Sequence, residues 1–209
     1  SYHYAGTNHD GYAITRHDPY TYPPLLTHFD RHLFGEGRYL YSYEKFGAHP
    51  RVIDDVSGVN FTVWAPNARR ISIVGDFNQW DNRVHPMHPN GAGGVWELFI
   101  PGLEPGTVYK YDIRSNHLGY QAQKADPYGF RTEHRPRTGS IVAQIEGVYD
   151  WNDERWMAER ASRDLLRSPM SIYEMHPGSW RRRDSSYWLS YRELAHELVP
   201  YVRDMGYTH

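Results

Sequence analysis

One pattern that occurs twice constrains the fold of this chain more than any other feature of its sequence. Residues 9–20 read HDGYAITRHDPY, and residues 117–128 read HLGYQAQKADPY. Both copies contain Gly-Tyr followed at the same interval by Asp-Pro-Tyr, and these are residues of tight turns and of strands. Such a repetition predicts that one β-module occurs twice. The alternative is that two unrelated hairpins share the same turn chemistry.

A pair of alternating tyrosines precedes each copy and extends the repeat. The second copy follows a full series of strand signals, whereas only a few residues stand before the first. We therefore expect residues 1–22 to be the carboxyl-end remnant of a first β-sandwich module. They would form its last two strands, joined by a polar turn at residues 8–11. The tyrosine pairs are Tyr2 with Tyr4 and Tyr109 with Tyr111.

Strand signals recur at short spacing from about Phe46. Turn pairs such as Asn-Gly and Gly-Gly separate them, so residues 46–150 are predicted to form an immunoglobulin-like β-sandwich. Trp64 and Trp96 lie in alternating strands, and we expect both in its core. Residues 23–45 begin with Pro-Pro, have weak helical spacing and are predicted to be a packed linker. The strand segments are VNFTVWAP (59–66), RISIVG (70–75), VWELFI (95–100), TVYKYDI (107–113) and SIVAQI (140–145).

The periodicity changes after Trp151. Asn152 is the predicted cap of a helix that ends at Pro169. Residues 170–176, MSIYEMH, have the composition of a short strand.

A second helix is predicted from Ser190, which forms a capping-box pattern with Glu193. Pro200 should bend this helix, and Gly206 should end it. A strand, a helix and the beginning of another strand are typical of the opening of a parallel α/β unit. The chain is therefore predicted to be mainly β, with an α/β segment at its carboxyl end. The apolar face of the second helix consists of Leu194, Leu198, Val202 and Met205.

Composition limits the possible classes of function. The chain has 23 Lys plus Arg and 25 Asp plus Glu, so charge gives no reason to expect a nucleic-acid or membrane partner. It has no cysteine, which excludes disulfides and thiolate metal sites. The 13 histidines show no metal-ligand spacing, and no glycine-rich phosphate loop occurs, so we expect neither a metal nor another cofactor. The 18 Tyr, 7 Trp and 7 Phe are unusual, because aromatic faces also stack on sugar rings.

Longer motifs resemble the family of bacterial 1,4-alpha-glucan branching enzymes. These are GVNFTVWAPNARRISIVGDFNQWDNRVHPM, YKYDI, ADPYGF and SIYEMHPGSWRRRDSSYWLSYRELAHELVPYVRDMGYTH. By this resemblance, residues 1–22 are the end of an extra amino-terminal module, followed by the linker at 23–45. Residues 46–150 resemble a family 48 carbohydrate-binding module. Residues 151–209 resemble the start of a truncated catalytic (β/α)8 barrel of the alpha-amylase family, with its first strand and helix.

The resemblance also implies a reaction. Branching enzymes cleave an alpha-1,4 glucan bond and transfer the released segment to a 6-hydroxyl, with retention of configuration, to form the branches of glycogen. This chemistry needs a carboxylate nucleophile and a carboxylic acid on opposite sides of the bond. In the family these acids come from barrel strands beyond His209, so no catalytic residue is assigned here and the chain alone is expected to be inactive. Glu174 and Asp184 have no spacing that makes them a pair, and a structural acid and a solvated loop acid account for them.

GDFNQWD, residues 75–81, is the best binding candidate in the sequence. Its Gly, Asp and Asn favour a turn that leaves Trp80 at a strand end, where the indole face would stack on glucose. Lys110 matches, by resemblance, a sugar-contacting lysine of the module family. Asn116 and His117, in a turn expected to be adjacent, would hydrogen-bond to sugar hydroxyls. The alternative is that Trp80 covers the edge of the core or packs on the barrel, with Lys110 solvated.

Two other functions stay open at this point. One is a debranching relative or a trehalose-releasing hydrolase that has the same module. The other is a non-catalytic glucan-binding module, although the barrel-like residues 170–209 argue against it. The expected partners are alpha-glucan, such as glycogen or amylose-type chains, and the remainder of the catalytic barrel. The expected location is the cytoplasm.

Overall fold

The structure, a computed structural model, describes residues 3–7 and 9–209. Tyr2 of the first repeat and Asn8 of its polar turn lie outside these described residues. The chain divides between Tyr149 and Asp150 into two compact units. Of the residues that the structure describes, none lies in a helix long and apolar enough to cross a membrane.

The first unit is mainly β, and its described strands pair antiparallel in three sheets. A hairpin of β1 and β2 forms one sheet, a second has the order β3-β4-β7-β6, and a third has the order β10-β11-β8-β5 with β9 also paired to β8. The strands are β1 His3–Thr7, β2 Ala13–His17, β3 Gly47–Ile53, β4 Val56–Trp64, β5 Ala68–Gly75, β6 His88–Pro89, β7 Val95–Pro101, β8 Val108–Ser115, β9 Gln121–Lys124, β10 Arg131–Thr132 and β11 Ser140–Ile141.

The two copies of the repeat form the same hairpin. In the first copy Tyr4 pairs with Arg16, and in the second Tyr111 pairs with Lys124, which are equivalent positions. The next pairs along each hairpin, ending at Thr7–Ala13 and Arg114–Gln121, keep the same register. The extra residue of the second copy therefore lies in the turn. This agreement favours a repeated β-module over chance similarity of turns.

The Asp-Pro-Tyr ends of the two copies also share one turn. Asp18 Oδ1 accepts from the Tyr20 N–H at 2.9 Å, and Asp126 Oδ1 accepts from the Tyr128 N–H at 2.8 Å. In both copies the backbone carbonyl of the aspartate accepts a further bond three residues on. Aspartate favours such turns because its side chain bonds to the backbone two residues later.

The two larger sheets pack face to face around one apolar core, so the predicted sandwich architecture is confirmed. Inward residues alternate along each strand, as the sequence pattern predicts. The strand predicted from SIVAQI is shorter than expected, because within that segment only Ser140 and Ile141 pair with a neighbouring strand. The core includes Val59, Phe61, Ile71, Ile73, Trp96, Leu98, Tyr109 and Tyr111.

Residues 23–45 cover the outer face of the sheet that contains β4 and β7. They include helix α1, His28–Gly35, which begins with a capping box of Thr27 and Asp30. Leu26 is buried against Phe46 and Val95 in a second apolar cluster. This segment is therefore packed, as predicted, and the sheet is buried on both faces.

A buried acid fastens this segment to the sheet. Glu97, on the outer face of β7, accepts from the backbone N–H groups of Leu25 at 2.7 Å and Leu26 at 3.3 Å. Asn60 and Asn90 donate to the same carboxylate at 3.0 and 2.9 Å. A buried carboxylate is tolerated because these donors replace its water shell.

The prediction that both Trp64 and Trp96 lie in the core is wrong for Trp64. Trp96 is 9% exposed, but Trp64 is 50% exposed. On β4 the inward positions are Val59, Phe61 and Val63, so the period of two places Trp64 on the outer face. The sequence shows the alternation of the strand, but it does not show that the segment covering the outer face leaves Trp64 half-exposed.

The second unit contains two helices, α2 Glu154–Ser162 and α3 Tyr191–Asp204. The predicted limits of the first helix, Asn152 and Pro169, are both wrong. Asp153, not Asn152, is the cap of α2, because Asn152 has a left-handed φ of 47°. The helix ends at Ser162 and not at Pro169, because the Asp164 carbonyl oxygen and carboxylate start a new turn.

Helix α3 agrees with its predicted limits. Ser190 and Glu193 form the capping box, and Gly206 follows the last turn with a φ of 81°. Leu194 is buried, whereas Met205 at the other end of the apolar face is 60% exposed.

The predicted strand at residues 170–176 is not present as a strand. Its backbone bonds instead to the end of the chain: the Ser171 N–H donates to Thr208 Oγ1 and the Tyr173 N–H to the His209 carbonyl oxygen, both at 2.8 Å. A ladder needs several paired residues, and the backbone bonds between this segment and the chain end involve just Ser171 and Tyr173 on one side and Thr208 and His209 on the other.

Candidate functional site

Trp80 lies in a tight turn that follows β5. Gly75 ends that strand so close to β8 that an added Cβ would lie 2.4 Å from the Val108 carbonyl oxygen. Asn78 holds the turn, since its side chain accepts from the Gly75 N–H at 3.0 Å and donates to the Ile73 carbonyl oxygen at 2.9 Å. The turn leaves Trp80 with a left-handed φ of 59°. The turn predicted from GDFNQWD is confirmed, and Trp80 lies at the strand end.

The Trp80 ring is held in place along one edge. Its Nε1–H donates to Asp76 Oδ1 at 2.7 Å, and its backbone N–H donates to the Gly75 carbonyl oxygen at 2.9 Å. The side chain is nevertheless only partly buried. An indole that is already fixed loses little conformational freedom when a ligand stacks on it.

Lys110 lies in the same cleft as Trp80. It pairs with Val74 on β5, near the end of that strand, and its Nζ donates to Thr138 Oγ1 at 2.8 Å. The cleft has a volume of about 490 Å³ and lies within the first unit. The structure therefore brings two of the four predicted binding residues together.

The cleft around the Trp80 indole is lined by both acidic and basic side chains. Glu133 accepts from the Gly139 N–H at 2.9 Å, and its other oxygen lies 3.7 Å from the Arg137 guanidinium. With Asp76, Lys110 and Thr138, the cleft offers cationic donors, carboxylate acceptors and a hydroxyl around one aromatic face. Such a mixture suits a neutral ligand with many hydroxyl groups.

Sequence reasoning missed the part of the cleft that residues 131–139 supply. This segment contains β10 and the turn that leads from it to β11, with Pro136 in that turn, and it has no apolar periodicity. Its Pro, Thr and Gly content indicates a turn. Nothing in the sequence indicates that the turn folds over Lys110, because that depends on the pairing of β11 with β8.

Asn116 and His117 do not lie beside Trp80, so the expectation of an adjacent turn is wrong. The Asn116 N–H donates to the Asn67 carbonyl oxygen at 2.9 Å, just before β5 begins, whereas Trp80 follows the end of β5. Because β5 and β8 pair antiparallel, the Asn116 turn lies beside the start of β5, and Trp80 lies beyond its other end. At about 3.3 Å per residue, the turn lies about 20 Å from Lys110 along β8. Both residues are exposed.

The acids Glu174 and Asp184 are both exposed in the second unit. Asp184 Oδ1 accepts from the N–H groups of Ser186 at 2.7 Å and Tyr187 at 3.0 Å. This is a local turn that uses the carboxylate as an acceptor.

Parts of the chain are similar to a known family and to known enzymes. Residues 45–129 match the family carbohydrate-binding module 48 (isoamylase N-terminal domain). Over 199 residues, 95% of this chain, the sequence is 52% identical to the 1,4-alpha-glucan branching enzyme of Nitrosococcus oceani and covers 26% of that protein. It is 51% identical to the branching enzyme of Methylococcus capsulatus over 97% of this chain and 27% of that protein.

The chain thus spans about a quarter of the length of the branching enzymes that it matches, and over that length it is 51 to 52% identical to them. Among solved structures, the pullulanase of Klebsiella pneumoniae complexed with maltotriose is similar at 26% identity and a TM-score of 0.38. That match covers 50% of this chain and 10% of the pullulanase.

Proposed function

We propose that the first unit binds linear alpha-1,4-glucan in the cleft of Trp80 and Lys110, as part of a 1,4-alpha-glucan branching enzyme. The single observation that supports this most directly is the fixed, partly exposed Trp80 indole beside groups of both charges. One glucose ring would stack on the indole. Its hydroxyls would accept from the Lys110 ammonium and donate to the Asp76 and Glu133 carboxylates.

The proposal for the whole enzyme's chemistry is supported by relatives that are named as branching enzymes, among them those of Nitrosococcus oceani and Methylococcus capsulatus. Retaining transfer requires two carboxyl groups on opposite faces of the glycosidic bond. We assign those acids to a (β/α)8 barrel, of which residues 151–209 would form the start. The role of the first unit would be to hold a glucan chain near that barrel. We also propose a cytoplasmic location.

The glucan site is tested by affinity electrophoresis of the 209-residue chain in gels containing glycogen. One stacked ring and a few hydrogen bonds in competition with water suggest a Kd between about 1 mM and tens of micromolar. Trp80→Ala should weaken binding about tenfold, which corresponds to about 1.4 kcal/mol. Trp80→Phe should retain much of the affinity, because it keeps an aromatic face.

Trp156→Ala is the matched control, since Trp156 is a half-exposed tryptophan on α2, outside the cleft. It should migrate like the unmodified chain. Equal retardation of the chain with and without Trp80→Ala, with the circular dichroism unchanged, would remove the site from consideration. Asn116→Ala with His117→Ala tests the distant turn separately, and we expect a smaller effect there.

A further inference from the structure

A second cleft in the first unit has different chemistry. It lies between α1 and the end of β4 and has a volume of about 550 Å³, which is in the range of small-molecule sites. Trp64 forms one wall, and the α1 residues His28, Arg31 and His32 form another. No sequence prediction and no comparison assigns a role to it.

Trp64 is suited to stacking because its ring is fixed and half-exposed. Its Nε1–H donates to the Gly93 carbonyl oxygen at 3.0 Å. Phe34 packs against it in a T-shaped arrangement with ring centroids 6.0 Å apart, and Phe34 is itself stacked on the buried Phe46 at 4.4 Å. One indole face is therefore held toward the cleft before any ligand is present.

The polar side chains that line this cleft are one guanidinium and two imidazoles. His28, Arg31 and His32 are spaced so that they lie on one face of α1. Arg31 donates to the Asn90 amide oxygen and not to a carboxylate. No Asp or Glu is among the described residues that line the cleft. The nearest acid in the helix, Asp30, is occupied by Lys45 at 2.6 Å.

The contrast with the Trp80 cleft indicates the ligand. Acidic and basic groups mixed around an indole suit neutral hydroxyls, whereas a guanidinium and two imidazoles without an acid suit an anion. We propose that the Trp64 cleft binds a phosphorylated monosaccharide. The sugar ring stacks on Trp64, and the phosphate accepts hydrogen bonds from Arg31 and from the imidazoles of His28 and His32.

The glycines of the cleft allow it to be blocked without damage to the fold. Gly35 and Gly93 both line it, neither has a left-handed φ, and a Cβ added to either meets no atom within 4 Å. Gly35→Leu should fill the cleft and leave α1 at least as stable, because leucine favours helix more than glycine does. Gly93→Leu is an independent second blocking variant. Gly6→Leu is the matched control, since Gly6 is equally open but lies in β1.

The experiment is a titration of the whole chain, with the Trp64 indole N–H resonance followed by nuclear magnetic resonance and assigned through Trp64→Phe. The probes are glucose 6-phosphate, glucose and inorganic phosphate. We expect glucose 6-phosphate to bind at least tenfold more tightly than either of the others. Both blocking variants should abolish this binding, and Gly6→Leu and Trp80→Ala should leave it unchanged.

Arg31→Gln should reduce the affinity for glucose 6-phosphate more than that for glucose. Equal affinity for glucose and glucose 6-phosphate would overturn the proposal, because Arg31 and the two imidazoles would then have no role. Equal affinity for inorganic phosphate would overturn it too, because the sugar would then contribute nothing. Unchanged binding to both blocked variants would place the ligand elsewhere.

Discussion

The aspartate of the second repeat offers the sharpest test of how this fold is stabilised. Asp126 is 7% exposed, and its Oδ2 accepts from the hydroxyls of Tyr109 at 2.7 Å and Tyr111 at 3.0 Å. These tyrosines are 1% and 0% exposed. The equivalent Asp18 forms the same turn bond to the backbone, so Asp18→Ala is a control for the turn alone.

The magnitude follows from the groups that lose a partner. Loss of the turn bond costs about 1 kcal/mol in either repeat. Asp126→Ala also leaves two buried hydroxyls without their acceptor, at about 1 to 3 kcal/mol each, so a total loss of about 3 to 7 kcal/mol is expected. That is a large part of the 5 to 15 kcal/mol typical of a folded domain.

Native-state hydrogen exchange of the amides of β5 and β8 measures the opening free energy of the sandwich directly. In the background of Asp126→Ala, replacing Tyr109 and Tyr111 by Phe should recover part of the loss, because it removes the unpartnered hydroxyls. If Asp126→Ala cost no more than Asp18→Ala, or if the phenylalanine replacements lowered stability further in that background, the tyrosine–aspartate cluster would not stabilise the sandwich as argued.

Burial gives the same cluster a pH dependence. It raises the pKa of Asp126 above its ordinary 3.8, and the bonds from Tyr109, the Tyr128 N–H and Tyr111 only partly offset this. A raised pKa in the folded state means that the stabilising contribution is full below about pH 3.8. It is lost as the pH rises through the raised pKa. Asp126→Asn should therefore reduce the pH dependence of the free energy of unfolding above about pH 3.8.

Three further outcomes are expected. Burial alone would raise the pKa of Asp30, but the hydrogen bond from Lys45 contributes to lowering it to about 2, so this pair stabilises above about pH 3.8 and the contribution is lost as the pH falls toward 2. Lys45→Met should reduce that acid sensitivity in urea titrations at several pH values. Limited proteolysis should cut first between residues 151 and 191, where α2 buries none of its side chains; hydrogen-exchange protection of residues 170–205 as strong as that of residues 61–113 would contradict this. The chain incubated with amylose should form no alpha-1,6 linkages above a heat-killed control, and any such turnover would contradict the assignment of the acids to the barrel.

The sandwich could be predicted from the sequence because its core strands alternate cleanly. Val59, Phe61 and Val63 show the period of two that one buried face requires, and Asn-Gly and Gly-Gly mark the turns between strands. The strands β3 and β9 are not predicted from the sequence. β3 contains Pro50 and β9 is polar, so neither has a strong apolar signal.

The site was only half predictable, for a different reason. Trp80 and Lys110 could be found because a turn motif and an alternating strand stand near them in sequence. The hairpin that supplies Glu133 and Thr138 reaches Lys110 only through the pairing of β11 with β8, and short local motifs contain no information on such pairing. The same limit explains the misplacement of Asn116, which is near Lys110 in number but at the other end of β8.

The buried carboxylate of Glu97 has a consequence for how such modules recombine. A segment that resembles a connector usually tolerates cutting and rejoining, because few contacts cross it. Here the backbone of Leu25 and Leu26 supplies two of the donors for Glu97, so the module's true edge lies upstream of Phe46. A gene fusion that begins at Phe46 would leave an acid without half of its donors and an apolar sheet face open to solvent. In evolution, the module and its leading segment should therefore move together as one inherited piece.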